Sequence, residues 1–312
     1  MTRHERAFGS LVATACGDAL GAGYEFGPAL GDDVVVRMAG GGAFGWAPGE
    51  WTDDTSMAVP IARAVAGGAS FDDPSTLDGI VEAWRVWGLT APDVGAQTRS
   101  VLGRLGDGPA TESAARDSAR AVHDDNGQSA GNGSLMRTAP LVLGFVDDPD
   151  GLATAARRVS DLTHFEDDAG DACVLWCLAI RHTIVTGELD PEIGLAWLPE
   201  PRRARWSTLI EEARAKQPRD FRRSNGWVVS ALQGALSAVH HGDGLVDTLE
   251  RAVRGGSDTD TVASIAGGLA GALHGASAVP DEWRRVLHGW PGLSHSDLVE
   301  LAEQALGAEP TS

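Results

Sequence analysis

The sequence predicts an all-α protein that folds as one compact domain, an orthogonal bundle of helices. Apolar residues recur at intervals of three and four along most of the 312 residues, which is the spacing of one helix face. The alternation typical of strands is almost absent, and residues 34–36 are the one short candidate. No internal repeat or composition break divides the chain, so we expect a domain at 1–308 and a frayed tail at 309–312.

The periodicity places a first helix at about residues 8–19, which ends at the glycines that follow. A Gly-rich loop at 38–50 leads into a second helix, where Pro60 removes a backbone donor and should kink the axis. A second Gly-rich loop, at 124–134, is predicted to enter a helix at 135–146. Other helices are predicted near 77–87, 96–105, 111–123, 150–160, 172–185, 203–216, 226–240, 244–254, 281–288 and 296–306.

A helix beginning near residue 262 is unusually rich in glycine and alanine, with Gly267, Gly268 and Gly271 in its interior. Glycine costs roughly 1 kcal/mol per helical position relative to alanine, so three of them need a packing reason. We therefore expect neighbouring helices to approach this one closely. It is predicted to be the central helix of the domain.

Composition excludes several classes of function. The formal net charge is −19, and Lys216 is the single lysine, so non-specific nucleic-acid binding is not expected. Three cysteines imply no disulfide framework. The first residues lack a signal peptide's apolar region, and no apolar run reaches membrane-spanning length. We expect a cytoplasmic, monomeric protein without a membrane segment.

Two short acidic stretches about two hundred residues apart are the candidate metal site. Residues 51–55 and 257–261 each combine two carboxylates with hydroxyl groups at a predicted helix start, and hard divalent cations prefer such oxygen ligands. Asp and Thr are also preferred helix caps, so capping is the alternative explanation. Capping needs one polar side chain per helix, however, and the duplicated excess favours metal. Four converging carboxylates would repel one another unless cations lay between them, which favours two metal ions.

Other polar residues are weaker candidates. Glu25 lies between two aromatic residues, where a partly desolvated carboxyl group could serve as a general acid or base, or it is an ordinary surface glutamate. Asp93 is either a helix cap or a loop carboxylate facing a site. The loop at 124–134 could point backbone N–H groups at a phosphate, or it is an ordinary turn. His164 lies at a junction between helices, where a structural role is the alternative to a functional one.

Six motifs in a fixed order resemble the ADP-ribosylglycohydrolase family, which includes dinitrogenase-reductase-activating glycohydrolases and ADP-ribosylarginine hydrolases. They are residues 17–21 with Glu25, 51–55, 92–95, 131–137, 162–164 and 257–261. The resemblance covers about residues 8–275. It implies an all-α fold, a centre of two Mg²⁺ or Mn²⁺ ions, and hydrolysis of the bond between C1 of ADP-ribose and an attached group.

The resemblance also implies roles for individual residues. It implies catalytic roles for Glu25 and Asp93. Metal ligands are implied at Thr52, Asp53, Asp54, Asp258, Asp260 and Thr261. Contacts to ADP-ribose are implied at Ser129, Gly131, Gly133, Ser134 and His164. Serine-linked ADP-ribose hydrolases have an aromatic residue before the Gly-Asn-Gly motif, whereas this chain has Ala130, which favours an arginine-linked or small substrate.

Two other functions compete with this one. Asp258 and Asp260 also fit the signature of haloacid-dehalogenase-like phosphatases, but that signature follows a strand early in an α/β chain, whereas here it lies late and precedes a helix. A non-catalytic ADP-ribose-binding protein would be expected to have lost metal ligands or the acidic residue. None of these is missing.

Overall fold

The computed structural model describes residues 1–307, and almost all of their regular structure is helical, which confirms the predicted all-α fold. The α-helices are α1 (Arg3–Gly21), α2 (Asp53–Ala66), α3 (Pro74–Gly88), α4 (Ala96–Leu105), α5 (Glu112–Asn126), α6 (Leu141–Gly144), α7 (Pro149–Asp161), α8 (Asp167–Thr186), α9 (Glu200–Ala215), α10 (Pro218–Phe221), α11 (Val228–His241), α12 (Leu245–Arg254), α13 (Thr259–His274), α14 (Asp281–Val286) and α15 (His295–Gly307). Short 3₁₀ helices lie at Asn132–Arg137, Ile193–Trp197, Arg222–Ser224 and Ala276–Ala278. The tail predicted at 309–312 lies outside the described residues.

Two local predictions were wrong. Residues 34–36 form no strand, and the small antiparallel sheet lies instead between β1 (His288–Gly289) and β2 (Leu293–Ser294). The helix predicted at 135–146 is replaced by the 3₁₀ helix Asn132–Arg137 and the four-residue α6. Pro140 lies between these two segments, and proline cannot donate the backbone hydrogen bond that a continuous helix requires. Pro60, by contrast, lies inside α2 without ending it.

The close packing predicted for α13 is made by α1, which crosses it antiparallel at backbone contact. A Cβ atom added to Gly17 would lie 2.1 Å from the carbonyl oxygen of Ala263, and one added to Gly267 would lie 2.2 Å from that of Ala13. The same holds at the far end, where a Cβ on Gly271 would lie 2.1 Å from a backbone oxygen of α1. The glycines are therefore required by the contact, and their low helix propensity is offset by packing.

The remaining large helices surround this pair. Helices α8, α11 and α12 pack on α13, and the residues of α13 from Thr259 to Ala272 are all buried. All three cysteines are unpaired and buried in this core. Within the described part of the chain, no helix is long and apolar enough to cross a membrane.

Replacing Gly17 with alanine should strongly destabilise the protein, because its methyl group would meet a backbone carbonyl that belongs to a packed helix. Overpacking of this kind costs about 3 kcal/mol or more when the neighbour cannot move. Urea unfolding followed by circular dichroism measures the effect. Gly79→Ala is the matched control, since Gly79 lies inside α3 with open space around it, and it should gain about 0.5–1 kcal/mol. Equal effects of the two substitutions would contradict the packing argument.

Candidate active site

Asp18 is a central residue of the site that the sequence analysis did not single out as a ligand. It lies in α1, fully buried, and its two carboxylate oxygens accept hydrogen bonds from the backbone N–H groups of Thr52 (2.8 Å) and Thr55 (2.9 Å). It therefore supplies the N-terminal cap of α2 from another helix, while Thr52 makes no side-chain cap bond of its own. Burial raises the pKa of Asp18 even though these hydrogen bonds lower it. An acidic residue inside the apolar pattern of α1 was the available signal.

The structure brings both acidic stretches together. One carboxylate oxygen from each of Asp18, Asp54 and Asp260 lies within 4.8 Å of the others. A second group with the same spacing consists of Glu25, Asp258 and Asp260. Asp260 belongs to both groups, so two sets of carboxylates share one residue at the first turn of α13. This is the arrangement that would bridge two cations.

These carboxylates fit divalent cations because several of their oxygens have no other partner. Oδ1 of Asp54, Oδ1 of Asp260 and Oε2 of Glu25 are buried and accept no hydrogen bond from the described residues. A buried, unpaired carboxylate oxygen is costly, and a hard cation with oxygen ligands removes that cost. Burial, and then repulsion by neighbouring carboxylates, raises the pKa of Asp54 and the pKa of Asp260 well above the ordinary value of an aspartate. A bound cation would lower both pKa values again.

The other three residues expected as metal ligands lie beside these clusters. The hydroxyls of Thr52 and Thr261 donate to Oδ2 of Asp54 at 3.4 and 3.3 Å, so both threonines contact the first cluster from opposite stretches. Asp53 lies in neither group of three, and its Oδ2 accepts a hydrogen bond from the backbone N–H of Gly95 at 3.4 Å. Asp53 therefore connects α2 to the loop that carries Asp93.

Asp258 is held by two asparagines that the sequence analysis did not single out. The side-chain amide of Asn132 donates to Oδ2 of Asp258 at 2.7 Å and to the backbone oxygen of Asn225. Asn225 is itself buried, and its side chain bonds both Gly256 and the backbone of Asp258. The Gly-Asn-Gly motif thus joins the second acidic stretch to the Gly-rich loop.

Glu25 is positioned by a strained backbone link. The next residue, Phe26, and the residue before Asp258, Ser257, both have positive φ angles, 63° and 66°. The N–H of Phe26 donates to the backbone oxygen of Ser257 at 2.7 Å, and the N–H of Ser257 donates to that of Gly27 at 2.9 Å. Non-glycine residues adopt such angles at a cost, so the link is maintained by its surroundings and fixes Glu25 beside Asp258.

The two candidate acid–base residues differ in their surroundings and in their pKa. Burial, followed by the charges of Asp258 and Asp93, raises the pKa of Glu25 to about 9. Burial, followed by the charge of Asp258, raises the pKa of Asp93 to about 6. Asp93 is half-buried and belongs to the lining of a cavity of about 290 Å³ next to α2, which we call the tryptophan cavity. Its lining is Trp46, Glu50, Trp51, Thr52, Asp53, Ser56, Trp87, Thr90, Ala91, Pro92, Asp93 and Trp290.

A larger cavity of about 540 Å³ lies over the Gly-rich loop. Ser129 and Gly131 line it, together with Gln97, whose side-chain amide donates to the backbone oxygens of Ser129 and Thr163, both at 2.8 Å. Trp227, another residue not singled out from the sequence, lines the same cavity, is 39% exposed and forms a bridge with Gly131. This cavity thus combines an exposed aromatic ring with the Gly-rich loop.

His164 supports this loop from below. Its ring packs against Gly131 and Gly133, where an added Cβ would lie 3.3 and 3.2 Å from ring atoms, and its Nδ1 bonds the hydroxyl of Thr163 at 2.7 Å. Arg137, fully buried, donates to the same hydroxyl at 2.7 Å and stacks on Trp84. Burial, with the nearby charge of Arg137, places the pKa of His164 well below its ordinary value, so the ring is neutral.

Ser134 differs from the other loop residues expected to contact a ligand. It is fully buried, and its hydroxyl accepts a hydrogen bond from Ser160 at 3.0 Å. Neither Ser134 nor Gly133 lines the cavity. From this part of the loop, Ser129, Ala130 and Gly131 line the cavity instead.

The comparison with known protein families agrees with this geometry. A sequence model of the family described as ADP-ribosylglycohydrolase matches residues 1–312. The chain belongs to the ADP-ribosylglycohydrolase family. It is therefore an enzyme that hydrolyses glycosidic bonds, as the motifs predicted.

The chain is also similar to individual members of the ADP-ribosylglycohydrolase family. The chain is 34% identical to the ADP-ribosylarginine hydrolase Tri1 of Pseudomonas putida, over 89% of this chain and 73% of that protein. It is 29% identical to the ADP-ribosyl-[dinitrogen reductase] glycohydrolase of Rhodospirillum rubrum, over 90% and 89%. A solved structure named as an ADP-ribosylglycohydrolase-related protein complex matches with a TM-score of 0.77 and 31% identity, over 98% of each chain.

Membership of the ADP-ribosylglycohydrolase family leaves the two competing functions without support. A haloacid-dehalogenase-like phosphatase places its aspartates after a strand, whereas Asp258 precedes α13 and Asp260 lies in its first turn, with α12 before them and no strand next to them in the described residues. A purely binding protein would not be expected to keep Glu25 and every carboxylate of both clusters.

The carboxylate clusters predict how stability depends on pH in EDTA. Folding raises the pKa of the cluster carboxylates and of Asp93, so the stability they contribute is highest at low pH. It is lost as the pH rises through their folded-state values, which are about 6 for Asp93 and about 9 for Glu25. Between pH 5 and pH 9 the melting temperature should fall by about 5 °C or more, since one pKa unit corresponds to about 1.4 kcal/mol. Saturating Mg²⁺ should remove most of this fall.

Scanning fluorimetry across this pH range, with EDTA or Mg²⁺, makes the measurement. Asp260→Asn is the informative variant, because it removes the residue common to both clusters and should reduce both the fall and the effect of Mg²⁺. A melting temperature that rises from pH 5 to pH 9 in EDTA would contradict the account.

Proposed function

We propose that this protein hydrolyses the bond between C1 of ADP-ribose and an attached arginine side chain, at a centre of two divalent cations, Mg²⁺ or Mn²⁺. The observation that carries the proposal is the sharing of Asp260 between two carboxylate clusters, one of which includes Glu25. The clusters are linked to both cavities, since Asp53 lines the tryptophan cavity and Asn132, the neighbour of Gly131, donates to Asp258. In this proposal Asp18, Asp54 and Asp260 would hold one cation, and Asp258 and Asp260 would hold the other. Thr52, Asp53 and Thr261 complete the ligand set.

The two cavities suggest how the substrate is arranged. The larger cavity would take the adenosine and phosphates, with the Gly-rich loop at Ser129 and Gly131 beside the phosphates and Trp227 stacking on the base. Ala130 lines the same cavity, and Trp227, which is bridged to the neighbouring Gly131, would supply the ring that Ala130 lacks. C1 of the ribose would then lie over the carboxylate clusters, with the leaving group directed into the tryptophan cavity.

The surroundings of the two acid–base residues suggest their roles. Asp93 lines the tryptophan cavity, to which we assign the leaving group, so we assign Asp93 the proton that passes to the leaving nitrogen. Glu25 lies in the second carboxylate cluster, so we assign it the proton taken from the attacking water. The C1–N bond breaks and a C1–O bond forms, which yields ADP-ribose and a free guanidine group.

The divalent cations, when bound, supply the positive charge that orients the ribose hydroxyls, makes a water more acidic and lowers the pKa of nearby carboxylates. The protein's own contribution is geometric. Asp18 fixes the start of α2, and Asn132 fixes Asp258, so the carboxylates are held in place before a cation arrives. Removing one shared carboxylate should therefore remove activity without removing the fold.

The preference for arginine rests on two observations. The tryptophan cavity contains the carboxylates of Glu50, Asp53 and Asp93 and no basic residue, which suits a cationic leaving group. The relative from Pseudomonas putida is named an ADP-ribosylarginine hydrolase. A serine-linked substrate would bring a neutral leaving group into this acidic cavity.

The direct test is to incubate the protein with arginine-, serine- and nucleobase-linked ADP-ribose, with Mg²⁺ or Mn²⁺, and to measure free ADP-ribose. Arginine-linked substrate should be hydrolysed fastest. Asp260→Asn should reduce the rate by about 100-fold or more while circular dichroism remains unchanged. The exposed Asp117→Asn on α5 is the matched control and should retain full activity. A preference for serine-linked substrate, or full activity of Asp260→Asn, would contradict the proposal.

Trp227→Ala should weaken ADP-ribose binding, because stacking of a base on an aromatic ring is worth roughly 1–3 kcal/mol. Calorimetry should show a dissociation constant raised by about 5- to 150-fold. Trp227→Phe retains a ring and should recover most of the affinity. If the alanine variant binds ADP-ribose as tightly as the wild type, the base does not lie on Trp227.

A further inference from the structure

Three aromatic rings form a continuous row from the solvent to the tryptophan cavity. Phe26 packs edge-on against Phe44 with ring centroids 6.3 Å apart, and Phe44 packs on Trp46 at 6.0 Å. Trp46 lines the cavity beside Asp93. We call this row, Phe26, Phe44 and Trp46, the aromatic wall. It begins at Phe26, the residue after Glu25, and ends in the cavity that Asp93 also lines.

The two outer rings of the wall are exposed to solvent, so they do not contribute to the buried core. Phe26 is 65% exposed and Phe44 is 36% exposed, so neither ring is buried as a core residue would be. Phe26 also has a φ of 63°, a conformation that glycine or asparagine would adopt at lower cost. A large apolar ring maintained in this strained, open position at the mouth of a site is expected where it contacts a ligand.

The inner end has a hydrogen-bond donor without an acceptor. Trp46 is 8% exposed, and its indole N–H is buried with no partner in the described part of the chain. A buried donor of this kind is costly unless an acceptor is supplied. An oxygen of a bound conjugate would supply one.

The charges around the wall select the ligand. The tryptophan cavity contains three carboxylates, Glu50, Asp53 and Asp93, and no Lys, Arg or His. Guanidinium groups stack on aromatic faces and pair with carboxylates, and the three methylenes of an arginine side chain pack on apolar rings. The wall and the cavity therefore match an arginine side chain along its length, with the polypeptide that bears it at the exposed end.

We propose that the aromatic wall is the leaving-group subsite, which receives the modified arginine of a protein substrate: Trp46 contacts the guanidinium group, while Phe44 and Phe26 contact the side-chain stem and the adjoining polypeptide. This inference rests on the proposed function. It adds a specificity determinant that lies outside the carboxylate clusters and outside the cavity assigned to ADP-ribose.

The test compares hydrolysis of an arginine-ADP-ribosylated protein with binding of free ADP-ribose. Phe26→Gly removes the outer ring and relieves its backbone strain, so the variant should fold at least as well as the wild type. Phe26→Gly and Phe44→Ala should each lower kcat/KM on the modified protein by about 5- to 30-fold, mainly through KM, the range expected for losing one aromatic contact to a cationic group. The dissociation constant of ADP-ribose should stay within about twofold.

Val185→Ala, at the exposed end of α8, is the matched control for loss of an apolar surface group and should leave both quantities unchanged. An unchanged kcat/KM in both wall variants, with an active wild type, would overturn the subsite and leave the proposed function intact. An equal loss of ADP-ribose affinity would also overturn it, since the rings would then belong to the nucleotide side. A wild type without activity on any ADP-ribose conjugate would overturn the proposed function and the subsite together.

Discussion

The backbone contact between α1 and α13 is the constraint on which the rest of the structure depends. Glycine at positions 17, 267 and 271 lets the two helices touch without side chains between them. This contact places Asp18 on one helix beside Asp260 on the other, and a Cβ on Gly21 would lie only 2.4 Å from the Cα of Asp260. A wider separation would move one member of the shared cluster away from the others. The same glycines that weaken each helix in isolation therefore determine the site.

The sequence predicted the parts of the site whose signal is local. Helix periodicity gave most helices within a few residues, and the two acidic stretches were identified because their carboxylates exceed what capping requires. Asp18 was not identified as a ligand because a single acidic residue within a helix has no distinguishing neighbour until α2 is placed on it. Asn225 and Trp227 were missed for a similar reason, since their partners, Asp258 and Gly131, lie 33 and 96 residues away in the chain.

The largest error in the predicted secondary structure is the helix at 135–146, which follows the Gly-rich loop. Residues 135–146 have helical periodicity, but Pro140 divides them into a 3₁₀ helix and a single α-turn. The 3₁₀ segment directs Asn132 to Asp258, while the buried hydroxyl of Ser134 faces Ser160. Tertiary contacts direct Asn132 to the site and Ser134 to the core, and residue spacing alone did not predict this difference.

The central claim is that both acidic stretches hold a shared pair of cations, with Asp260 between them. Anomalous scattering from crystals soaked in Mn²⁺ tests this claim most directly. The account predicts two peaks, one within coordination distance of Asp18, Asp54 and Asp260 and the other within coordination distance of Asp258 and Asp260. A single peak, or peaks that contact only one of the two stretches, would contradict it.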